Sequence, residues 1–104
     1  MDLQAFQANI DAVYGRRDQT RGVPSTVAWL AEELGELAQA VRKGTADQQR
    51  HELGDVLAWL ASLANQMGLS CDDAVARYAH GCPRCGGTPC VCDERSGPQA
   101  WEGS

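Results

Sequence analysis

Two stretches of this chain repeat apolar residues every three or four positions, and Gly44 lies between them. Val27, Leu30, Leu34, Leu37 and Val41 precede it; Leu53, Val56, Leu57, Leu60, Leu63 and Met67 follow it. That period is helical, and glycine after such a run is a helix stop. The pattern predicts one helix from Ser25, just after Pro24, to Lys43. A second, capped by Thr45 or Asp47 and ended by Gly68, should fold back against it. Residues 2–14 repeat Leu3, Phe6, Ile10 and Val13 at the same spacing, and Ser70 followed by Asp73 opens a short helix to Ala79. Between the first two helices, YGRRDQTRGVP reads as a loop carrying Arg16, Arg17 and Arg21. No stretch alternates with period two over a useful length, so the expected fold is all-α, an antiparallel bundle of about four helices.

At 104 residues the chain is one domain's worth, and a chain of this size buries only about two-thirds of its unfolded surface. The apolar faces are too long for one such core to cover, so completion as a homodimer or tetramer is expected. No run approaches the ~18 apolar residues of a membrane span, and the opening MDLQAFQANIDAVYG, with Asp2 and Asp11, does not read as an export signal. A net charge of −5 argues against gripping a nucleic-acid polymer by its phosphates. The acid is concentrated between positions 23 and 80, where eight carboxylates face four bases.

Most of that acid falls in two motifs. EELGE carries Glu32, Glu33 and Glu36; ELGD carries Glu52 and Asp55. Residues three apart share a helical face, and both pairs flank the apolar stripe, at the edge of the seam between the helices. An antiparallel hairpin about Gly44 sets residue i opposite residue 88 − i. Glu33 then meets Asp55 and Glu36 meets Glu52, four carboxylates at one level, with Trp29 against Trp59 one turn away. Like charges so crowded need a positive partner. Hard divalent cations take several carboxylate oxygens and can polarise a phosphoryl group. One acidic motif alone would be a solvated helix face; two in matching register are harder to explain that way. The indoles could stack on a nucleobase or pack in a subunit interface, and both readings stand.

EExxE followed by ExxD, on the two long helices of a small all-helical chain, resembles the MazG-like nucleoside triphosphate pyrophosphohydrolases. WLAEELGELAQAVRKG and HELGDVLAWLASLANQMGLSCDDAV read as that family's core helices and connecting turn. The resemblance implies hydrolysis of nucleoside triphosphates to monophosphate and pyrophosphate with Mg²⁺ or Mn²⁺, by dimers or tetramers, and a part in nucleotide-pool housecleaning. Carried over by position, Glu33, Glu36, Glu52 and Asp55 would hold the metal, and Glu32 would help hold a second metal or activate water. Many relatives have a longer fourth helix that brings Lys, Asn and Arg to the phosphates, whereas here ARYAHG gives way to cysteines. Arg77, Tyr78, Arg16, Arg17 and Arg21 are the substitutes available, beside Trp29 and Trp59 for the base. The rival reading is a non-catalytic, zinc-stapled interaction or metal-binding module, which has no need of four carboxylates at one level.

Cys82, Cys85, Cys90 and Cys92 form a CxxC, four spacers, then CxC. Their clustering, without an export signal, points to a reducing cytoplasm and away from a disulfide framework. The Cys-x-x-Cys-Gly turn resembles a zinc-ribbon knuckle, in which backbone amides fold toward the thiolates, and four thiolates match a closed tetrahedral Zn²⁺ site. Free or oxidised thiols, a redox dithiol and an iron–sulfur site are the alternatives. Cys71 reads as a small buried residue, His51 and His80 as surface, with His80 a fallback ligand. The expected organisation is a helical catalytic domain over residues 1–80, a zinc clip over 81–92, and a disordered tail over 93–104 containing Trp101.

Overall fold

The structure is a computed structural model that describes residues 1–93, so the expectations for the tail beyond Asp93, Trp101 included, lie outside the described residues. The chain is all-α: α1 (Leu3–Arg21), α2 (Val23–Lys43), α3 (Ala46–Met67) and the short α4 (Cys71–Val75), followed by one 3-10 turn, Ala76–Tyr78. No strand occurs among the described residues. Residues 1–73 form one compact unit, and a second unit begins at Ala74.

Local chemistry sets the boundaries. Asp2 caps α1 by accepting the Ala5 N–H at 2.8 Å. Thr45 and Gln48 make a reciprocal capping box at the start of α3, which satisfies two otherwise orphaned amides. Gly68 ends α3 at φ 69°, a left-handed conformation that favours glycine. Ser70 accepts the Asp73 N–H at 3.1 Å, as its spacing predicted.

The reading of the segment before Gly22 needs correction. The segment read as a loop after residue 14 is helical as far as Arg21, and only Gly22, at φ 84°, separates α1 from α2. The continued helix places Asp18 inside the unit, only 2% exposed, where it pairs with Arg21. The inward face is polar here, so apolar periodicity stops while the helix does not.

α1 docks on α3 through side-chain amides at both ends. Gln7 donates to Asn65 Oδ1 at 2.9 Å and to the Leu69 carbonyl at 2.7 Å, and its own Oε1 accepts the Cys71 N–H. Gln66 donates to the Asp18 carbonyl at 2.6 Å. The part-buried Asp18 carbonyl and Cys71 amide are thereby paired, and such groups are costly to leave unpaired.

α2 and α3 form the expected antiparallel hairpin, but only part of the expected face is inward. α2 turns in Thr26, Leu30, Glu33, Leu37 and Ala40; α3 turns in Val56, Ala61 and Ser62. Val27, Leu34 and Val41 are exposed, as are Leu53, Leu57, Leu60 and Met67. The inward set mixes apolar and polar residues, and Gln49 donates to the Ala40 carbonyl at 3.1 Å. A single chain therefore leaves much of its apolar surface uncovered.

Candidate active site

The hairpin register brings the two acidic motifs together. Glu33, Glu36 and Glu52 each offer a carboxylate oxygen within 4.8 Å of the others. Glu52 belongs also to a second such group, with Asp55 and His51. Glu52 is common to both groups, so the four carboxylates gather around it, and the Asp55 charge also bears on Glu33. Glu32 is exposed and belongs to neither group. Asp55 faces His51 across one turn of α3, Nε2 to Oδ2 at 3.3 Å.

Electrostatics mark the cluster as incomplete. Burial raises the Glu33 carboxyl above its usual range, and the charges of Glu36, Asp55, Glu52 and Glu32 push it further the same way. One oxygen of Glu33 and one of Glu52 (Oε2 in each) are buried without a hydrogen-bond partner. Such oxygens are costly to leave unpaired, and a divalent cation satisfies them. The donor set therefore fits a hard metal.

Glu33 binds its proton more tightly folded than unfolded. Its contribution to stability is full below the unfolded carboxyl's pKa and is lost as pH rises through the raised folded value. Metal-free Glu33→Gln should therefore melt higher than wild type near pH 7, with the gap closing near pH 4. Thermal melts in chelator at both pH values check this; an unchanged or lower midpoint near pH 7 contradicts it.

Next to the carboxylates lies an open pocket of about 410 Å³, lined by Tyr14, Arg17, Asp18, Arg21, Trp29, Glu33, Asp55, Ala58, Trp59 and Ser62. Trp29 and Trp59 stack as the register predicted, ring centroids 6.0 Å apart and planes 10° from parallel. The Arg21 guanidinium lies over the Trp59 ring at 4.7 Å, a cation–π contact, and donates to Asp18 at 2.6 Å. Glu36 and Glu52 line a second pocket of about 380 Å³, which Lys43 shares.

Of the residues proposed for substrate, Trp29, Trp59, Arg17 and Arg21 line the first pocket, and Arg16 does not. Arg77 and Tyr78 belong to the second unit, where Arg77 donates to the Tyr78 hydroxyl at 2.8 Å and covers its ring. Tyr14 and Asp18 were missed. Their signal was present: 14, 17, 18 and 21 keep helical spacing, but with polar residues.

Cys82, Cys85, Cys90 and Cys92 converge in the second unit, their sulfurs all within 4.8 Å of one another. Backbone N–H groups of Val91 and Gly87 pull the Cys85 thiol down to about 6, while the neighbouring thiols Cys90 and Cys85 push Cys92 up to about 12.

The model of the MazG nucleotide pyrophosphohydrolase domain matches residues 21–84 of this sequence, more than half its length. The chain belongs to the MazG family. The match takes in α2, α3 and both acidic motifs of this MazG chain, and starts at the last residue of α1. The chain is also 35% identical over 89 residues to the uncharacterized protein YpjD of Bacillus subtilis, covering 75% of this chain and 80% of that protein. A nucleotide is the substrate class that this MazG membership implies.

Proposed function

We propose that the protein is a divalent-metal-dependent nucleoside triphosphate pyrophosphohydrolase, converting NTP or dNTP and water to the monophosphate and pyrophosphate. The observation that carries this reading is the composition of the first pocket. Stacked indoles, two arginines and two members of the carboxylate cluster line one space. Each suits one part of a nucleotide: indoles take a base of any sequence, guanidinium groups take phosphate oxygens, and carboxylates take the accompanying cation.

Glu33, Glu36, Glu52 and Asp55 would hold Mg²⁺ or Mn²⁺, which supplies polarisation of the α-phosphoryl group and shielding of triphosphate charge. Trp29 and Trp59 orient the base. Arg17 and Arg21 neutralise phosphate, and Lys43 does the same for the departing pyrophosphate at the second pocket. Glu32 accepts the proton of the water that attacks the α-phosphorus, work for which a carboxylate beside a metal site is suited. The zinc expected on the four cysteines has no part in this chemistry, because a closed thiolate site leaves no position for water. The exposed apolar stripes of α2 and α3 are covered in a homodimer or tetramer, and the cytoplasmic nucleotide pool supplies the substrate.

Nucleotide titration tests the pocket. Tryptophan fluorescence should be quenched by NTP in the presence of metal. Trp59→Ala should raise KM by about tenfold or more, since stacking contributes roughly 1–3 kcal/mol per base. Indoles that do not respond to saturating nucleotide would leave them as packing residues only.

A further inference from the structure

We infer that Cys82, Cys85, Cys90 and Cys92 form a closed tetrathiolate site for one zinc ion, and that this ion is what orders the segment from Gly81 to Asp93. The inference does not rest on the nucleotide reading; it concerns a different unit of the chain and a different class of donor.

The sulfur spacing carries it. Cys82 Sγ lies 3.8 Å from Cys92 Sγ, and Cys85 Sγ lies 3.9 Å from Cys90 Sγ. A disulfide requires about 2.05 Å, so neither pair is bonded. A tetrahedron of sulfurs around zinc, with bonds of about 2.3 Å, has edges of about 3.8 Å. The observed pairs match two opposite edges of that tetrahedron.

Backbone amides provide the second observation. The Arg84 N–H donates to Cys82 Sγ at 3.4 Å, and the Cys92 N–H donates to Cys90 Sγ at 3.2 Å. Cys85 Sγ accepts from both Gly87 and Val91 at 3.4 Å. Three of these four bonds run from residue i + 2 back to the sulfur, the knuckle geometry read from Cys-x-x-Cys-Gly. Hydrogen bonds to a charged acceptor are the stronger kind, so the loop is built to hold thiolates.

The fold of the segment supplies the third. No residue from Gly81 to Asp93 is buried, and Val91 is 79% exposed. Backbone bonds from Cys82 to Gly87 (3.0 Å) and from Gly86 to Cys82 (2.7 Å) close the first loop. Gly86 makes that turn at φ 75°, and a Cβ on Gly81 would come within 2.8 Å of the Gly86 carbonyl oxygen. Apolar burial is absent as a source of order here, and small segments of this kind are ordered by metal. His80 is exposed and stands outside the sulfur group. Four soft donors and no open position select zinc, or iron of the same coordination, over Mg²⁺.

The test uses the full chain, purified under reducing conditions with zinc supplied. Elemental analysis should give about one zinc per chain, and Co²⁺ exchanged into the site should show the intense visible bands of tetrahedral thiolate coordination. Cys85→Ser and Cys90→Ser should each lose most of the zinc with helical content unchanged. Chelation should speed tryptic cleavage after Arg84 at least about tenfold, reporting loss of metal-dependent order. Stoichiometric iron, or no metal with all five thiols reactive, overturns the assignment. So does octahedral Co²⁺, and so does full zinc in both variants.

Discussion

Glu52→Gln is expected to reduce metal-dependent turnover by about 100-fold or more, the upper end of what disturbing a metal's supporting partners costs, with helicity unchanged. Glu52 is the residue shared by the two carboxylate groups, with Glu33 and Glu36 on one side and Asp55 and His51 on the other. One of its oxygens is buried and unpartnered. An amide is a poorer ligand for a hard cation, so the site loses affinity. The apo protein loses a repulsive charge from a crowded set, so the fold is not weakened. Turnover and circular dichroism on the same preparation check both halves. Normal helicity with near wild-type turnover would remove Glu52 from the mechanism.

Arg21→Ala should destabilise the protein by about 3 kcal/mol, the lower end of the range for breaking a buried ion pair from one side. Asp18 is 2% exposed and its Oδ1 accepts Arg21 Nη1 at 2.6 Å. The other carboxylate oxygen of Asp18 already lacks a partner, so the truncation leaves a buried charge with no cation. Arg21 keeps 19% of its side chain exposed, which is why the lower end applies. Asp18→Asn should cost less, and the double variant should recover part of the loss, giving a clear coupling energy in urea unfolding. Strict additivity of the two single changes would contradict the pairing. Arg21→Ala also uncovers Trp59 and removes a cation from the pocket, so KM should rise in parallel.

The hairpin was legible because one residue, Gly44, fixes its register. From it came the juxtaposition of Trp29 with Trp59 and the approach of EELGE to ELGD. The orientation of the helices about their own axes was legible only in part: Leu30, Leu37, Val56 and Leu63 of the expected stripes are buried or half-buried. Val27, Leu34 and Val41 form a clean apolar stripe, and single-chain reasoning assigns such a stripe to the core. Thr26 and Ala40 are buried instead, beside Leu30, Leu37 and Val56 of the expected stripes, with Glu33 half-buried among them. The end of α1 was not legible either. Tyr14, Arg17, Asp18 and Arg21 keep helical spacing and line the pocket, yet each carries a polar or charged group, so hydrophobic periodicity carries no signal there.

The most direct test of the central claim is to follow the reaction of an NTP or dNTP panel with Mg²⁺ in oxygen-18 water by phosphorus NMR. The predicted products are a nucleoside monophosphate bearing one labelled oxygen and unlabelled pyrophosphate, both absent in chelator. Nucleoside diphosphate with orthophosphate, or label in the pyrophosphate, would contradict attack at the α-phosphorus and with it the proposed role of the carboxylate cluster.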